Sequence, residues 1–366
     1  MMRVLVADDS AVAREMLIQL IEDDPEMMVV GTAKSGEETV SKAQVLKPDL
    51  ITMDLLMPDM DGVEATRSIM ALCPVPIVFV SSTVTSAHGR THFDALAVGA
   101  VDVVEKPDFL SMKREPELKR RFLENLKSMG QVVTLTRRRR RSDDPPPVAP
   151  RTSGSERPGA EKAWRSGPPA FAKVVVVGAS TGGPAVVMRV LSLLEAESAP
   201  PVVLVQHMAA GFVGGFVEWL NESLGIRAQL AKNGARLEPG NLYVAPDEHH
   251  VELTAFGRLT VHDAPALRFH RPSVDVLFQS AAAALGRDAV GVLLTGMGDD
   301  GARGLAAMHQ NGAFTIAQDQ KSSLVYGMPA AAVERGGAST SANPESIAET
   351  LSSIRAAASS ATTRTS

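Results

Sequence analysis

The sequence holds one cysteine, Cys73, in 366 residues. That excludes an intramolecular disulfide and a cysteine-built metal site, and it fits a reducing compartment, so a cytoplasmic location is expected. No apolar run approaches the roughly 20 residues that span a bilayer. The chain enters a strand-like "MRVLVADD" at once, without a basic segment and signal-peptide core. Neither export nor membrane insertion is expected. An excess of positive charge is also missing: the formal net charge of -5 argues against non-specific attraction to nucleic acid or anionic lipid. What is present, 45% hydrophobic and 22% charged residues, is a globular composition with enough length for two or three domains.

Along the first third, short apolar runs ("RVLVAD", "DLITMD", "PIVFVSS", "DVVEKP") alternate with helix-like stretches, the last spanning roughly Met112 to Met129. Such alternation predicts a parallel sheet with helices on both faces. Residues 131–170 then turn to arginine, proline, serine and glycine, with five consecutive arginines, Arg137 to Arg141, and little to bury. This reads as a flexible linker, its arginines a solvated flank. The α/β alternation resumes over 171–357, with a hairpin-like interlude through "NLYVAPDEHHVELT" and "GRLTVHDA". His249 and His250, adjacent and so pointing opposite ways on a strand, are expected to be surface residues rather than a metal pair. Residues 358–366 are too polar to order themselves. The resulting division is 1–130, 131–170, 171–357 and 358–366.

Asp8 and Asp9 end the first predicted strand, Asp54 the third, and Lys106 follows the fifth. In an open parallel sheet these strand ends share the ligand-binding edge. Three carboxylates in one crevice repel one another, and a hard divalent ion such as magnesium relieves that repulsion. Helix capping by Asp9 or Ser10 accounts for one of these residues but not for the set.

In the second unit "VVVVGASTGG" runs a buried strand into a serine, Ser180, wrapped in glycines. A hydroxyl is a poor nucleophile until a base takes its proton. His207, in "PVVLVQHM", follows another buried-strand pattern and so shares the sheet edge with Ser180. A third strand, "AVGVLLTG", delivers Asp299 and Asp300 to the same edge, where a carboxylate would orient the imidazole. Serine, histidine and aspartate from three strand ends form the constellation of acyl transfer. The Ser, His, Asp order differs from the Ser, Asp, His order of α/β-hydrolases, and "GASTGGP" lacks both dinucleotide spacing and a P-loop lysine.

The motifs "DD", "DLLMPDMDG" and "KP" resemble those of receiver domains of two-component response regulators. That resemblance implies a flavodoxin-like fold with a parallel five-stranded sheet, a phosphoryl-accepting Asp54, Asp8 and Asp9 joining it in holding Mg2+, Lys106 pairing with the phosphoryl oxygens, and Ser81 as a switching hydroxyl. Val103 stands at a partner switch position that is often aromatic, so the departure argues against an aromatic-rotamer readout. The motifs "GASTGGP", "QHM", "HRPSVDVLF", "LLTGMGDDGA" and "YGMP" resemble the catalytic domain of the chemotaxis protein-glutamate methylesterases, the CheB family. This second resemblance implies a doubly wound, mostly parallel α/β domain with Ser180 as nucleophile, His207 as base and Asp300 as its orienter. It also implies an oxyanion site at Met297 and the Ser180 turn beside Thr181, with His270 lining the cleft. The implied activity is hydrolysis of glutamate methyl esters and deamidation of glutamines on chemoreceptors, without an esterase metal, under control of a histidine kinase. A cytoplasmic protein recruited to receptor arrays follows. The competing expectation is a response regulator whose second unit is a non-catalytic adaptor or DNA-binding module, which would show a basic helix-turn-helix after the linker.

Overall fold

The computed structural model describes residues 1–81, 93–96, 98–108, 112, 114–130 and 167–357. Most of the arginine-rich stretch, including Arg137 to Arg141, and the tail 358–366 lie outside them. Strands β1 (Met2–Ala7), β2 (Met27–Ala33), β3 (Leu50–Met53), β4 (Ile77–Ser81) and β5 (Asp102–Glu105) form a parallel sheet in the order β2-β1-β3-β4-β5. This is the flavodoxin-like order, in which the chain reverses direction between β1 and β3 and opens a crevice there. Ser10 caps the helix Ala11–Glu22, its hydroxyl accepting from Ala13 N at 3.3 Å. Asp8 Oδ1 accepts from Ser10 N at 2.9 Å at the same helix start, which leaves its other oxygen and Asp9 for other work.

Met112 and Arg114 are helical as expected, and after a break at Glu115 the main helix runs over Pro116–Gly130. Proline favours the first helical turn, where its missing N–H is no loss, and Pro116 fixes the start there. That helix buries Phe122, Leu123, Leu126 and Met129.

The second unit is built on seven parallel strands. After the short β6 (Phe171–Ala172) come β7 (Val174–Ala179), β8 (Val202–Gln206), β9 (Arg227–Leu230) and β10 (Asn241–Val244). A β11–β12 hairpin (His250–Leu253, Leu259–His262) stands apart, and β13 (Ala289–Leu293), β14 (Phe314–Gln318) and β15 (Thr340–Ala342) complete the sheet. The sheet order is β15-β14-β13-β7-β8-β10-β9. Residues of β7, β8 and β13 are buried throughout, as expected of central strands covered by helices on both faces. Each such valine or leucine contributes about 1.5–3 kcal/mol of burial. Because β13, β7 and β8 are neighbours, whatever follows their C-terminal ends meets at one edge.

The two units share a continuous apolar cluster. Phe93 of the first lies 5.3 Å from Phe216 and 5.8 Å from Trp219 of the second, ring centre to ring centre. Among the described residues no helix is long and apolar enough to cross a membrane.

Candidate active site

Ser180 follows β7, His207 follows β8, and Asp300 lies beyond β13. The β7–β8 register pairs Ala179 with Gln206, which sets Ser180 opposite His207. The serine turn is pinned by its backbone: Ser180 N donates to Thr295 O at 3.0 Å, and Gly183 N to Ser180 O at 2.8 Å. Gly182 sits at φ 72°, a left-handed conformation that glycine adopts without strain. A Cβ at Gly296 would stand 2.7 Å from Ser180 Cβ, so only glycine lets the β13 loop approach the nucleophile turn.

Asp300 is buried and heavily hydrogen-bonded. Its carboxylate accepts from Ser273 Oγ and Val274 N at 2.8 Å and from Asp275 N and Gly301 N at 3.0 Å. The first two of these backbone donors open the helix Val274–Leu285, whose N-terminus favours negative charge. His207 Nε2 stands 3.0 Å from Asp300 Oδ2, at ion-pair distance though not aligned as a straight hydrogen bond. Burial alone would raise the Asp300 pKa, but His207 and the backbone donors outweigh it and hold the carboxyl well below the usual carboxylate range. It is an anion across the physiological range. His207 Nδ1 is buried with no partner among the described residues.

His270 stacks on His207 with ring centres 4.3 Å apart and planes within 3°. Burial, followed by the nearby His207, pushes its pKa down to about 4, so it is neutral at pH 7. Ligand atoms of His207, His270 and Asp300 lie within 4.8 Å of one another. Parallel rings, however, direct their in-plane lone pairs alongside each other, and Asp300 already holds four donors. The arrangement suits proton transfer better than metal ligation. Ser180, Thr181, His207 and His270 line one cavity of about 370 Å³. Met297 stands in the turn before Asp300, outside that lining.

Sequence reasoning missed Gln206, whose amide donates both to Ser180 O at 2.8 Å and to His207 O at 2.9 Å, tying the two loops together. Its place in "QHM", beside the histidine, was the available signal. Thr295 was also missed; its hydroxyl donates to Thr181 O at 3.0 Å. The expectation that His250 is a surface residue is overturned. His249 is exposed, but His250 turns inward at 1% exposure, its Nδ1 accepting from Ser273 N at 3.2 Å. Strand alternation put the two rings on opposite faces, and the inner face here is core.

In the first unit Asp8, Asp9 and Asp54 offer carboxylate oxygens within 4.8 Å of one another. Lys106 Nζ reaches Asp8 Oδ2 and Asp54 Oδ2, each at 2.7 Å. Burial pushes the Asp8 carboxyl up and neighbouring Asp54 adds to it, while Lys106 pulls the other way. Burial would lower the Lys106 pKa, but its bonds to Asp54 and Asp8 raise it on balance. A half-buried, all-oxygen cluster of three acids fits a hard divalent cation. Ser81 is buried at the end of β4, where its carbonyl accepts from Lys106 N at 2.7 Å.

The first unit forms one wall of the active-site cavity through Phe93, Asp102, Arg121 and Asn125. Asp102 Oδ2 accepts from Gly182 N at 2.9 Å, inside the nucleophile turn, and its other oxygen accepts from Val103 N at 2.8 Å. Burial without a cation raises its pKa to about 6. The docked arrangement thus binds a proton at Asp102 more tightly than a separated one, where an ordinary value near ~3.9 applies. Docking is accordingly firmest at low pH and weakens as pH rises through about 6. The protection factor of the Gly182 amide in hydrogen exchange is expected to fall from pH 5 to pH 7.5, and a flat profile would contradict this.

Two family models match the chain: a response regulator receiver domain over residues 4–113 and CheB methylesterase over residues 175–351. A protein-glutamate methylesterase/protein-glutamine glutaminase of Geobacter metallireducens is 41% identical, over 97% of this chain and 99% of its own. One from Syntrophus aciditrophicus is also 41% identical, over 96% and 97%. The crystal structure of the Thermotoga maritima CheB methylesterase catalytic domain is 32% identical, covering 50% of this chain and 97% of that one at a TM-score of 0.48. Nearly complete coverage on both sides, together with the two matched domains in the same order, shows that the chain belongs to the CheB methylesterase family, with a response regulator receiver ahead of its catalytic domain.

Proposed function

We propose that this protein is a phosphorylation-regulated serine hydrolase that removes methyl groups from glutamate methyl esters of chemotaxis receptors and deamidates receptor glutamines to glutamate. The observation that carries the reading is the meeting of Ser180, His207 and Asp300 at the adjoining ends of β7, β8 and β13. Ser180 Oγ attacks the side-chain acyl carbon while the ring nitrogen of His207 not engaged with Asp300 takes its proton. The tetrahedral oxyanion is assigned to backbone N–H groups of the Ser180 turn beside Thr181 and of Met297, where each donor is worth about 3 kcal/mol. His207 then passes the proton to departing methanol or ammonia, leaving an acyl-enzyme. Water, deprotonated by the same histidine, releases glutamate. Asp300 fixes the imidazole and stabilises the imidazolium. His270, neutral at pH 7, lines the cleft against His207.

The same reading divides the chain into a receiver (1–130), a linker (131–170), a catalytic domain (171–357) and a tail (358–366), acting in the cytoplasm at receptor arrays. Asp54 takes a phosphoryl group from a histidine kinase, Lys106 pairs with its oxygens and Ser81 supplies the switching hydroxyl. Asp8, Asp9 and Asp54 are the residues that would hold Mg2+, which when bound offsets the charge of the incoming phosphoryl group. β5 supports coupling between the lobes, because it carries Asp102 against the nucleophile turn at one end and precedes Lys106 at the other. A phosphoryl group adds about -1.5 to -2 charges beside Lys106, enough to redraw that end of the strand.

Asp54→Asn is expected to abolish stimulation of hydrolysis by a small phosphodonor while leaving the basal rate in place. Methanol release from methylated receptor checks it; undiminished stimulation in that variant would defeat the phosphorylation model.

A further inference from the structure

The turn that precedes the cis Arg271–Pro272 bond is unusual in its residues. Leu267 and His270 exchange two backbone hydrogen bonds, each 3.0 Å, which closes a two-residue hairpin over Arg268 and Phe269. Their φ values are 50° and 75°. Two successive left-handed residues make a type I′ turn, for which Asn-Gly is the favoured pair because each avoids the Cβ clash cheaply. A bulky aromatic at positive φ is a strained choice. Strain of this kind persists where surrounding structure over-determines it, and it clusters at functional sites.

Here the strain is not offset by burial, since Phe269 is 85% exposed. The turn is nevertheless firmly held. Arg268 Nη1 binds Asp299 at 2.9 Å, Arg335 Nη2 reaches the same carboxylate at 3.2 Å, and Arg271 Nη1 donates to Asp263 O at 3.1 Å. One residue further on, His270 enters the cavity and stacks on His207. Phe269 lines that cavity too, so a fixed aromatic ring stands at the mouth of the cleft, one residue from the imidazole packed on the base.

Resting on the proposed hydrolase reading, we infer that Phe269 is a specificity-determining residue that contacts an apolar side chain flanking the scissile glutamyl ester on a protein substrate. The turn's conformation aims the ring outward, and the ion pair of Arg268 with Asp299, a carboxylate that Arg335 also binds, holds the turn in place. An exposed aromatic carries large contact area and little rotamer entropy to lose, the profile of a recognition anchor. A small ester, with no flanking side chain, gains nothing from it.

The test compares the full chain with Phe269→Gly, which relieves the positive-φ strain, and Phe269→Leu, which keeps an apolar contact. Methanol release from a methylated receptor fragment and hydrolysis of p-nitrophenyl acetate are both followed. Phe269→Gly is expected to raise KM for the receptor fragment about tenfold, the size of a modest hot-spot contact, with kcat within about twofold. Its p-nitrophenyl acetate rate should hold and its thermal midpoint should not fall, since the strain at φ 75° is relieved, and Phe269→Leu should lie between it and the wild type in KM. An unchanged KM in Phe269→Gly overturns the inference. So does an equal loss on both substrates, which would mean that the turn acts through His207 instead. Wild-type hydrolysis of the small ester with no methanol release from the receptor fragment would overturn the parent reading and this one with it.

Discussion

Ser180→Ala is expected to lower methyl-ester hydrolysis by about 10⁴-fold or more, with no loss of fold. Removing the nucleophile of a hydroxyl–imidazole–carboxylate unit leaves only water attack assisted by the oxyanion donors and by binding, and members of such a unit fail together instead of additively. The structure separates this from a folding defect. Ser180 is held by its backbone, through its N–H to Thr295 and its carbonyl to Gln206 and Gly183, and its hydroxyl has no partner among the described residues. Alanine keeps those main-chain bonds. Stability should therefore change by no more than about 0.5 kcal/mol, so the thermal midpoint and the activity would part company in one variant. A midpoint that collapses along with the activity would assign Ser180 a structural role.

Asp300→Asn should be nearly as damaging to turnover, by about 10³ to 10⁴-fold, and unlike the serine change it should also weaken the fold. The catalytic part follows from the 3.0 Å contact with His207: an amide in that place no longer stabilises the imidazolium and favours the wrong tautomer. The stability part follows from the carboxylate's four other donors, Ser273 Oγ and the N–H groups of Val274, Asp275 and Gly301. Both oxygens are taken by donors, and asparagine must turn its own NH2 toward some of them. Each buried donor left unsatisfied costs about 1–3 kcal/mol. Since Asp300 in the wild type has its pKa held low, its contribution to stability is present above the ordinary carboxylate range and is lost only in strong acid as pH falls through the depressed value. Near-normal activity in Asp300→Asn would remove it from the relay.

How much of this was legible in the sequence differs between the two sites. The acids of the first unit stood out because each follows a run of β-branched or apolar residues, and a parallel sheet brings such ends together whatever the helices between them do. Ser180 and His207 were legible for the same reason. Spacing alone left Asp299 and Asp300 open. In the structure Asp299 faces outward to Arg268 and Arg335, while Asp300 turns in toward His207.

What the sequence hid were contacts set by tertiary packing. Gln206 looked like one more strand residue, yet it clasps both catalytic loops. His250 has no local pattern to distinguish core from surface, because a two-stranded hairpin buries whichever face meets the body of the domain. The bond from Gly182 to Asp102 joins residues 80 positions apart, a turn of the second unit and a strand of the first, and nothing within a local window encodes it. The strain at Phe269 was equally invisible, since "RFHRP" carries none of the residues that usually mark a type I′ turn.

The link between the two lobes and the chemistry is tested most directly by methanol release from a methylated chemoreceptor, catalysed by the full chain with Mg2+, before and after addition of a small phosphodonor. A slow release that climbs once the phosphodonor is present is the expected result. No release in either condition, or a rate indifferent to the phosphodonor, would contradict a hydrolase whose cleft is walled by its own receiver.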